Sequence, residues 1–254
     1  MSSEYFYVRP DAVHGKELII DGDEAKHIAR VLRKIPGDMI WVVDGAGKAY
    51  EAVIAAMNQS QKDSQHEVHC EVLHVEEQLN EADVDVTLAV ALLKHPAKMD
   101  WVVEKATELG IRRFIPLRTA RVISFITGVE TSPRRVERWR SVAIAAMKQS
   151  GRSFLPQIYP VSPLAAVMEH SSEYELKMIP YERTDHVLSI AETLKHRETP
   201  KSVLIVIGPE GGFTDEEIST AEHHGFVQVS LGKRRLRTET AAIVATAITL
   251  NNYQ

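Results

Sequence analysis

The chain of 254 residues contains a single cysteine, Cys70. No internal disulfide can form, and the strand-like residues around Cys70 give it the character of a small buried side chain rather than of a reactive thiol. No apolar run approaches the roughly 20 residues that a membrane helix needs. The opening residues, MSSEYFYVRPD, lack the basic start and apolar stretch of a secretory signal, so the cytoplasm is the expected compartment. Positive charge is not in excess: 30 Lys and Arg against 35 Asp and Glu leave a net charge of −5. That is not the bulk signature of a nucleic-acid-binding protein, although phosphate meets local charge rather than the total. Histidines at metal-binding spacing are missing, since His223 and His224 are adjacent and do not share a helix face, and no metal is expected. Neither G-x-x-x-x-G-K-[ST] nor a G-x-G-x-x-G after a strand occurs, which excludes the familiar phosphate loops.

What is present changes character along the chain. Residues 17–20, 39–44, 49–57 and 67–75 read as short strands, several of them separated by the turns Asp21-Gly22, Pro36-Gly37 and Asp44-Gly45. One helix, over 24–34, interrupts them, so a compact barrel-like module is predicted. The acidic stretch 76–85 is the linker candidate. Beyond it, the continuous apolar run 86–93 has the pattern of a strand buried on both faces, 114–117 is a short strand, and 175–180, 203–207 and 227–231 read as further buried strands. Helices are predicted between and after them: 99–109 ending at Gly110, 133–150 starting from Ser132-Pro133, 187–194, 214–224 and 239–251. The fold class is therefore α/β, a mostly parallel sheet preceded by a small β-rich domain. The domains are placed at 1–76 and 77–254.

Two loops carry the chemistry. The first, Ile207-Gly208-Pro209-Glu210-Gly211-Gly212-Phe213-Thr214, leaves an apolar strand and enters a helix whose start is marked by a Thr214/Glu217 capping box. Loops at the carboxyl ends of parallel strands are where such sheets bind ligands. Glycines allow close approach of backbone to ligand. Glu210 would repel a phosphate and attract a cation. The second loop, Leu231-Gly232-Lys233-Arg234-Arg235-Leu236-Arg237-Thr238-Glu239-Thr240, sets four cations just before a helix N-terminus, where positive charge is locally unfavourable and an anionic partner or Glu239 must offset it. On these residues alone, two readings stay open: a nucleotide-binding α/β enzyme and a non-catalytic RNA-binding protein in which the first domain does the work.

The pair GPEGGFTDEE and LGKRRLRTETA resembles the two signature loops of the ribosomal RNA small-subunit methyltransferase E family, a branch of the SPOUT superfamily. Three more segments resemble that family in the right order: His27-Ile28-Ala29-Arg30-Val31-Leu32-Arg33 with Pro36-Gly37-Asp38, Lys98-Met99 with Lys105–Gly110, and Gln149-Ser150-Gly151-Arg152 with Pro156. The chain departs from the family at Arg235, where an aliphatic residue is usual, and at Val122 after Arg121, where a small polar residue or cysteine is common. Arg235 is given no role.

The resemblance implies a SPOUT-type parallel sheet with a C-terminal trefoil knot, preceded by a PUA-like β-barrel. It implies S-adenosylmethionine as cofactor, held by Ile207, Gly208, Glu210, Gly211, Leu231, Gly232, Leu236 and Thr240, and methylation of uridine N3 in 16S rRNA of the 30S subunit by a homodimer. A ribose 2′-O-methyltransferase of the same superfamily is the neighbouring alternative. Uracil N3 carries a proton at neutral pH, so the reaction needs a group to hold the developing negative charge and one to take the proton. Arg237, then Arg234, are the candidates for the first task, and Glu239, with Glu210, for the second. Arg9, Arg30, Arg33, Lys98 and Arg152 are the candidates for RNA contact, Arg30 and Arg33 being three apart and so on one face of a helix.

Overall fold

In the computed structural model, residues 4–59, 66–122, 132–181, 187–195 and 198–253 are described. They form two compact units, Met1–Glu81 with Ile144–Leu155, and Ala82–Ala143 with Pro156–Gln254.

The first unit holds strands β1 (Tyr5–Tyr7), β2 (Val13–His14), β3 (Glu17–Asp21), β4 (Met39–Val43), β5 (Lys48–Gln59) and β6 (His66–Glu77), with a short helix α1 (Gly22–Lys26). They make one six-stranded sheet in the order β1-β4-β5-β6-β3-β2, antiparallel except where β1 lies parallel to β4. Strand alternation explains its core: Leu18 and Ile20, Ile40 and Val42, Ala52 and Ile54, Val68 and Cys70 point inward and are buried in one cluster with Ile28. Each large aliphatic side chain so buried contributes roughly 1.5–3 kcal/mol. Burial pushes the Cys70 thiol up to about 12, in keeping with an inert packing residue.

The predicted helix over 24–34 is shorter and more broken than its periodicity implied. After α1 the backbone widens through His27–Val31, where Leu32 N–H donates to His27 O at 3.1 Å. Arg33 then sits at φ 54, so Arg30 and Arg33 do not share a regular helical face. The reason lies in positions 32–38: the chain must turn so that Ile35 N–H can donate to the Asp38 carboxylate at 2.9 Å and Gly37 N–H to Ile54 O at 2.8 Å.

The second unit is a parallel sheet built from β7 (Asp85–Ala91), β8 (Arg113–Arg118), β9 (Gln157–Ile158), β10 (Ser162–Pro163), β11 (Leu176–Pro180), β12 (Ser202–Ile207) and β13 (Val227–Val229). Its order is β10-β8-β7-β12-β11-β13, with β9 also paired to β8, and every pairing is parallel. The helices are α2 (Pro96–Leu109), α3 (Pro133–Ser150), α4 (Leu164–Glu169), α5 (Ile190–Lys195), α6 (Asp215–His223) and α7 (Thr238–Asn251); α3 belongs to this unit as far as Ala143. One face of the sheet packs on α4 and α6 through Leu117, Ile179, Leu204, Val206, Phe213 and Phe226. The other is covered by α7 with α2 against it. Burial on both faces is why the central strands β7 and β12 are apolar almost throughout rather than alternating. Gly110 ends α2 in the left-handed region at φ 119, as its position at the end of the apolar period predicts. β1, β2, β9, β10 and α4 carried too few patterned residues to be read beforehand. Among the described residues no helix is long and apolar enough to cross a membrane.

Candidate functional site

The strand order places β7 beside β12, with β8 on one side of the pair and β11 and β13 on the other. A parallel sheet opens a crevice at the carboxyl ends where its winding changes direction. Here that crevice is a cleft of about 360 Å³, lined by residues that follow four strands: Arg121 after β8, Pro180 and Tyr181 at the end of β11, Ile207 to Phe213 at and beyond the end of β12, and Val229, Leu231, Arg235, Leu236, Thr238 and Ala241 from β13 into α7. The size suits a small organic ligand.

The loop after β12 is held firmly. Thr214 accepts a hydrogen bond from Glu217 N–H at 3.1 Å, and Glu217 accepts one from Thr214 N–H at 2.8 Å, completing the predicted capping box. The second oxygen of Glu217 accepts from Ala120 N–H at 2.8 Å, tying the turn after β8 to the same helix start. Glycine is required at 208 by space: a Cβ there would lie 2.9 Å from the ring of Phe213, which is buried in the core. Thr238 Oγ1 donates to Gly208 O at 3.0 Å, so the first turn of α7 is fastened to the glycine loop. The two loops singled out in the sequence thus share one cleft.

Of the residues expected to touch a cofactor, Ile207, Gly208, Glu210, Gly211, Leu231 and Leu236 line the cleft, while Gly232 and Thr240 are not among the lining residues. Arg234 and Arg237 are exposed in the second loop, Arg237 at the N-cap of α7. Glu239, in the first turn of that helix, pairs with Lys98 of α2 at 2.9 Å, its side chain 13% exposed. Its second oxygen is buried with no hydrogen-bond partner. Burial pushes the Glu239 carboxyl up. The hydrogen bond from Lys98, the group's own backbone amide, and the charges of Lys98 and Arg237 outweigh that, and it ends below the usual carboxylate range.

The RNA-contact candidates divide. Arg9 is exposed, with a loose pair to Asp11 at 3.3 Å, and Arg30 and Arg33 are exposed. Lys98 is engaged by Glu239. Arg152 is corrected outright: it is 2% exposed and its guanidinium binds the Glu81 carboxylate at 2.6 Å, so it braces the first unit rather than facing a nucleic acid. A basic residue in a run of small polar ones reads as surface until a carboxylate 71 positions away is brought onto it.

Arg121, Tyr181, Phe213 and Arg235 line the cleft but were not read as cofactor contacts. The usable signal was positional: each lies within a few residues of the carboxyl end of a parallel strand. Among the described residues no group of three or more His, Cys, Asp or Glu is placed to hold a metal.

A parallel α/β sheet with a glycine-walled cleft at its strand ends, fastened to a basic loop, has the site of an α/β enzyme that takes a small organic ligand. A family model described as an RNA methyltransferase domain matches residues 80–250, and one described as an RNA methyltransferase PUA domain matches residues 20–62. Ribosomal RNA small subunit methyltransferase E of Bacillus subtilis is 30% identical over 229 residues, 89% of this chain and 86% of that protein. Its Synechocystis namesake is 32% identical over 241 residues, 94% and 75% of the two chains. The crystal structure of the protein of that name from Neisseria gonorrhoeae, bound to S-adenosyl methionine, matches with a TM-score of 0.81 at 28% identity, over 97% of this chain and 96% of that one. The chain belongs to the ribosomal RNA small subunit methyltransferase E family.

Proposed function

We propose that this chain transfers a methyl group from S-adenosylmethionine to N3 of a uridine in 16S ribosomal RNA, acting in the cytoplasm on RNA of the small subunit. The observation that carries the reading is the cleft itself, where the glycine loop after β12 and the basic loop after β13 meet across the end of β11. Its walls suit the cofactor: apolar Ile207, Leu231 and Leu236 beside backbone groups that glycine leaves accessible, with the Glu210 carboxylate on the lining to attract a cationic ligand. When bound, the cofactor supplies an activated methyl on sulfonium, so the protein need not provide a leaving group or a metal.

The chain's own task is the uracil proton. Arg237, assisted by Arg234, holds the negative charge that grows on the uracil carbonyls as N3 loses its proton. Glu239 is ionised at neutral pH and stands two residues after Arg237 in the first turn of α7, which makes its carboxylate the candidate acceptor for that proton. A carboxyl group below its usual range is a weak base, so transfer depends on the arginines stabilising the anion. Arg9, Arg30 and Arg33 hold RNA phosphates from the first domain, residues 1–76, and the reaction belongs to residues 77–254, whose C-terminal segment is threaded as a trefoil knot. A homodimer is supported by α7, which is apolar nearly all round yet leaves Ala241, Ile243, Val244, Ala247 and Ile248 only partly buried, and by Trp101 and Leu188, 43% and 56% exposed.

The test is to incubate the protein with labelled S-adenosylmethionine and small subunits lacking the modification, then locate the methyl by mass spectrometry of digested rRNA. Methyl at uridine N3, lost in Arg237→Ala with cofactor binding intact, is the expected result. Methyl on a ribose would move the chain to the 2′-O chemistry. No transfer and no cofactor binding by calorimetry would overturn the proposal.

A further inference from the structure

Arg121 stands outside both signature loops, yet it grips one of them. Its Nη1 donates to the carbonyl of Gly211. The N–H of the same peptide unit, on Gly212, donates to Pro209 O at 2.9 Å. The Gly211–Gly212 peptide is therefore held at both ends, once by the turn it closes and once by a side chain from 90 residues away. A peptide between two glycines has little steric resistance to rotation, so the hold matters more here than it would between bulkier residues.

The packing agrees with the hydrogen bond. Gly211 is not among the residues of positive φ, so its conformation does not demand glycine. A Cβ on Gly211 would lie 3.3 Å from Arg121 Cδ and 3.4 Å from Arg121 Cβ, so the arginine lies directly against the glycine. The aliphatic stem of the arginine covers the glycine while its guanidinium holds the carbonyl. The base of the arm is fixed in turn, because Ala120 N–H donates to Glu217, the residue that caps α6. Arg121 and Gly211 both line the cleft.

We infer that Arg121 is a positioning residue for the cofactor: by pinning the Gly211–Gly212 peptide it keeps the glycine loop in the shape that receives S-adenosylmethionine, and it acts on cofactor affinity rather than on RNA affinity. The inference rests on the reading of the cleft as the cofactor's seat.

Calorimetry of S-adenosylmethionine binding to the wild type, Arg121→Met and Arg121→Lys tests it, with KM for small subunits measured at saturating cofactor. Methionine keeps much of the stem and removes the donor, and lysine keeps a donor. The expected result is cofactor affinity weakened about tenfold in Arg121→Met and restored to within about threefold in Arg121→Lys, with KM for subunits changed less than about twofold. Arg121 is exposed, so both variants should fold, and their melting curves check that. Unchanged cofactor affinity in Arg121→Met overturns the inference. So does a loss confined to KM for subunits with a shallower salt dependence, which marks a phosphate contact. A wild type that binds no S-adenosylmethionine overturns the functional reading itself, and that outcome is seen before any variant is made.

Discussion

Glu81 and Arg152 form a buried ion pair inside the first unit, their side chains 1% and 2% exposed. The carboxylate is fully employed: one oxygen takes Arg152 Nη2 at 2.6 Å, and the other accepts the backbone amides of Ser153 and Phe154 at 3.0 and 2.9 Å. Beside this pair the chain from 151 to 155 joins the turn at Gly45–Gly47, through Gly47 N–H to Ser153 O and Leu155 N–H to Gly45 O, both 3.0 Å. The pair is thus the lock of a segment that returns to the first unit from far along the chain.

Removing one partner of such a pair leaves a buried charge with nothing to offset it. Glu81→Ala is expected to lower stability by about 3–5 kcal/mol, seen as a drop in the denaturant midpoint. An effect within the ~0.5 kcal/mol typical of surface substitutions would show that the pair does not hold this segment.

Gly208→Ala places a methyl 2.9 Å from the Phe213 ring, and Phe213 is 2% exposed, so the loop must move instead. Overpacking of this kind costs about 1–3 kcal/mol. Cofactor affinity should fall by about tenfold or more, measured by calorimetry, with a small decrease in melting temperature. Wild-type affinity in this variant would mean the glycine loop is free to adjust.

Lys98 and Glu239 give a pH signature. The Glu239 carboxyl lies below its usual range in the folded chain, so its ionised form contributes stability that is complete above the unfolded-state value and is lost as pH falls through the folded one. Lys98→Met should therefore be less stable than wild type at neutral pH, and the gap should narrow as the solution is acidified through the carboxylate range. Chemical denaturation at pH 7 and at pH 3 measures it. A gap of equal size at both would remove the ion pair as its cause.

Arg30 and Arg33 are exposed on a broken turn rather than a regular helix, and each is proposed to meet phosphate. Alanine at either should raise KM for small subunits and lower the slope of log K against log salt by about 0.7–0.9. Cofactor affinity should stay at the wild-type value. A salt slope equal to wild type in both variants would place RNA contact elsewhere.

Much of the architecture was legible in the chain. Apolar runs such as 86–93 and 203–207 have the pattern of strands covered on both faces, and their alternation with helices indicates a mostly parallel sheet. The Thr214/Glu217 cap, Gly110 and Ser132-Pro133 marked helix ends because capping is local chemistry, settled by residues within one turn of each other. The two loops were found for the same reason: glycine and charge were concentrated where a predicted strand gave way to a helix.

What the tertiary structure decided is which side chains the loops meet. Arg121 reaches Gly211 across 90 positions, Lys98 finds Glu239, and Arg152 disappears into a pocket made by Glu81. Hydrophobic period reports which side of an element is buried, and a cap reports where it ends. Neither says which distant carboxylate or carbonyl a cation will meet, because that follows from strand order and helix packing. The sequence alone determined the elements, their caps and the loops that bear the chemistry. Only the packed sheet set the walls of the cleft and turned one expected RNA contact into a buried brace.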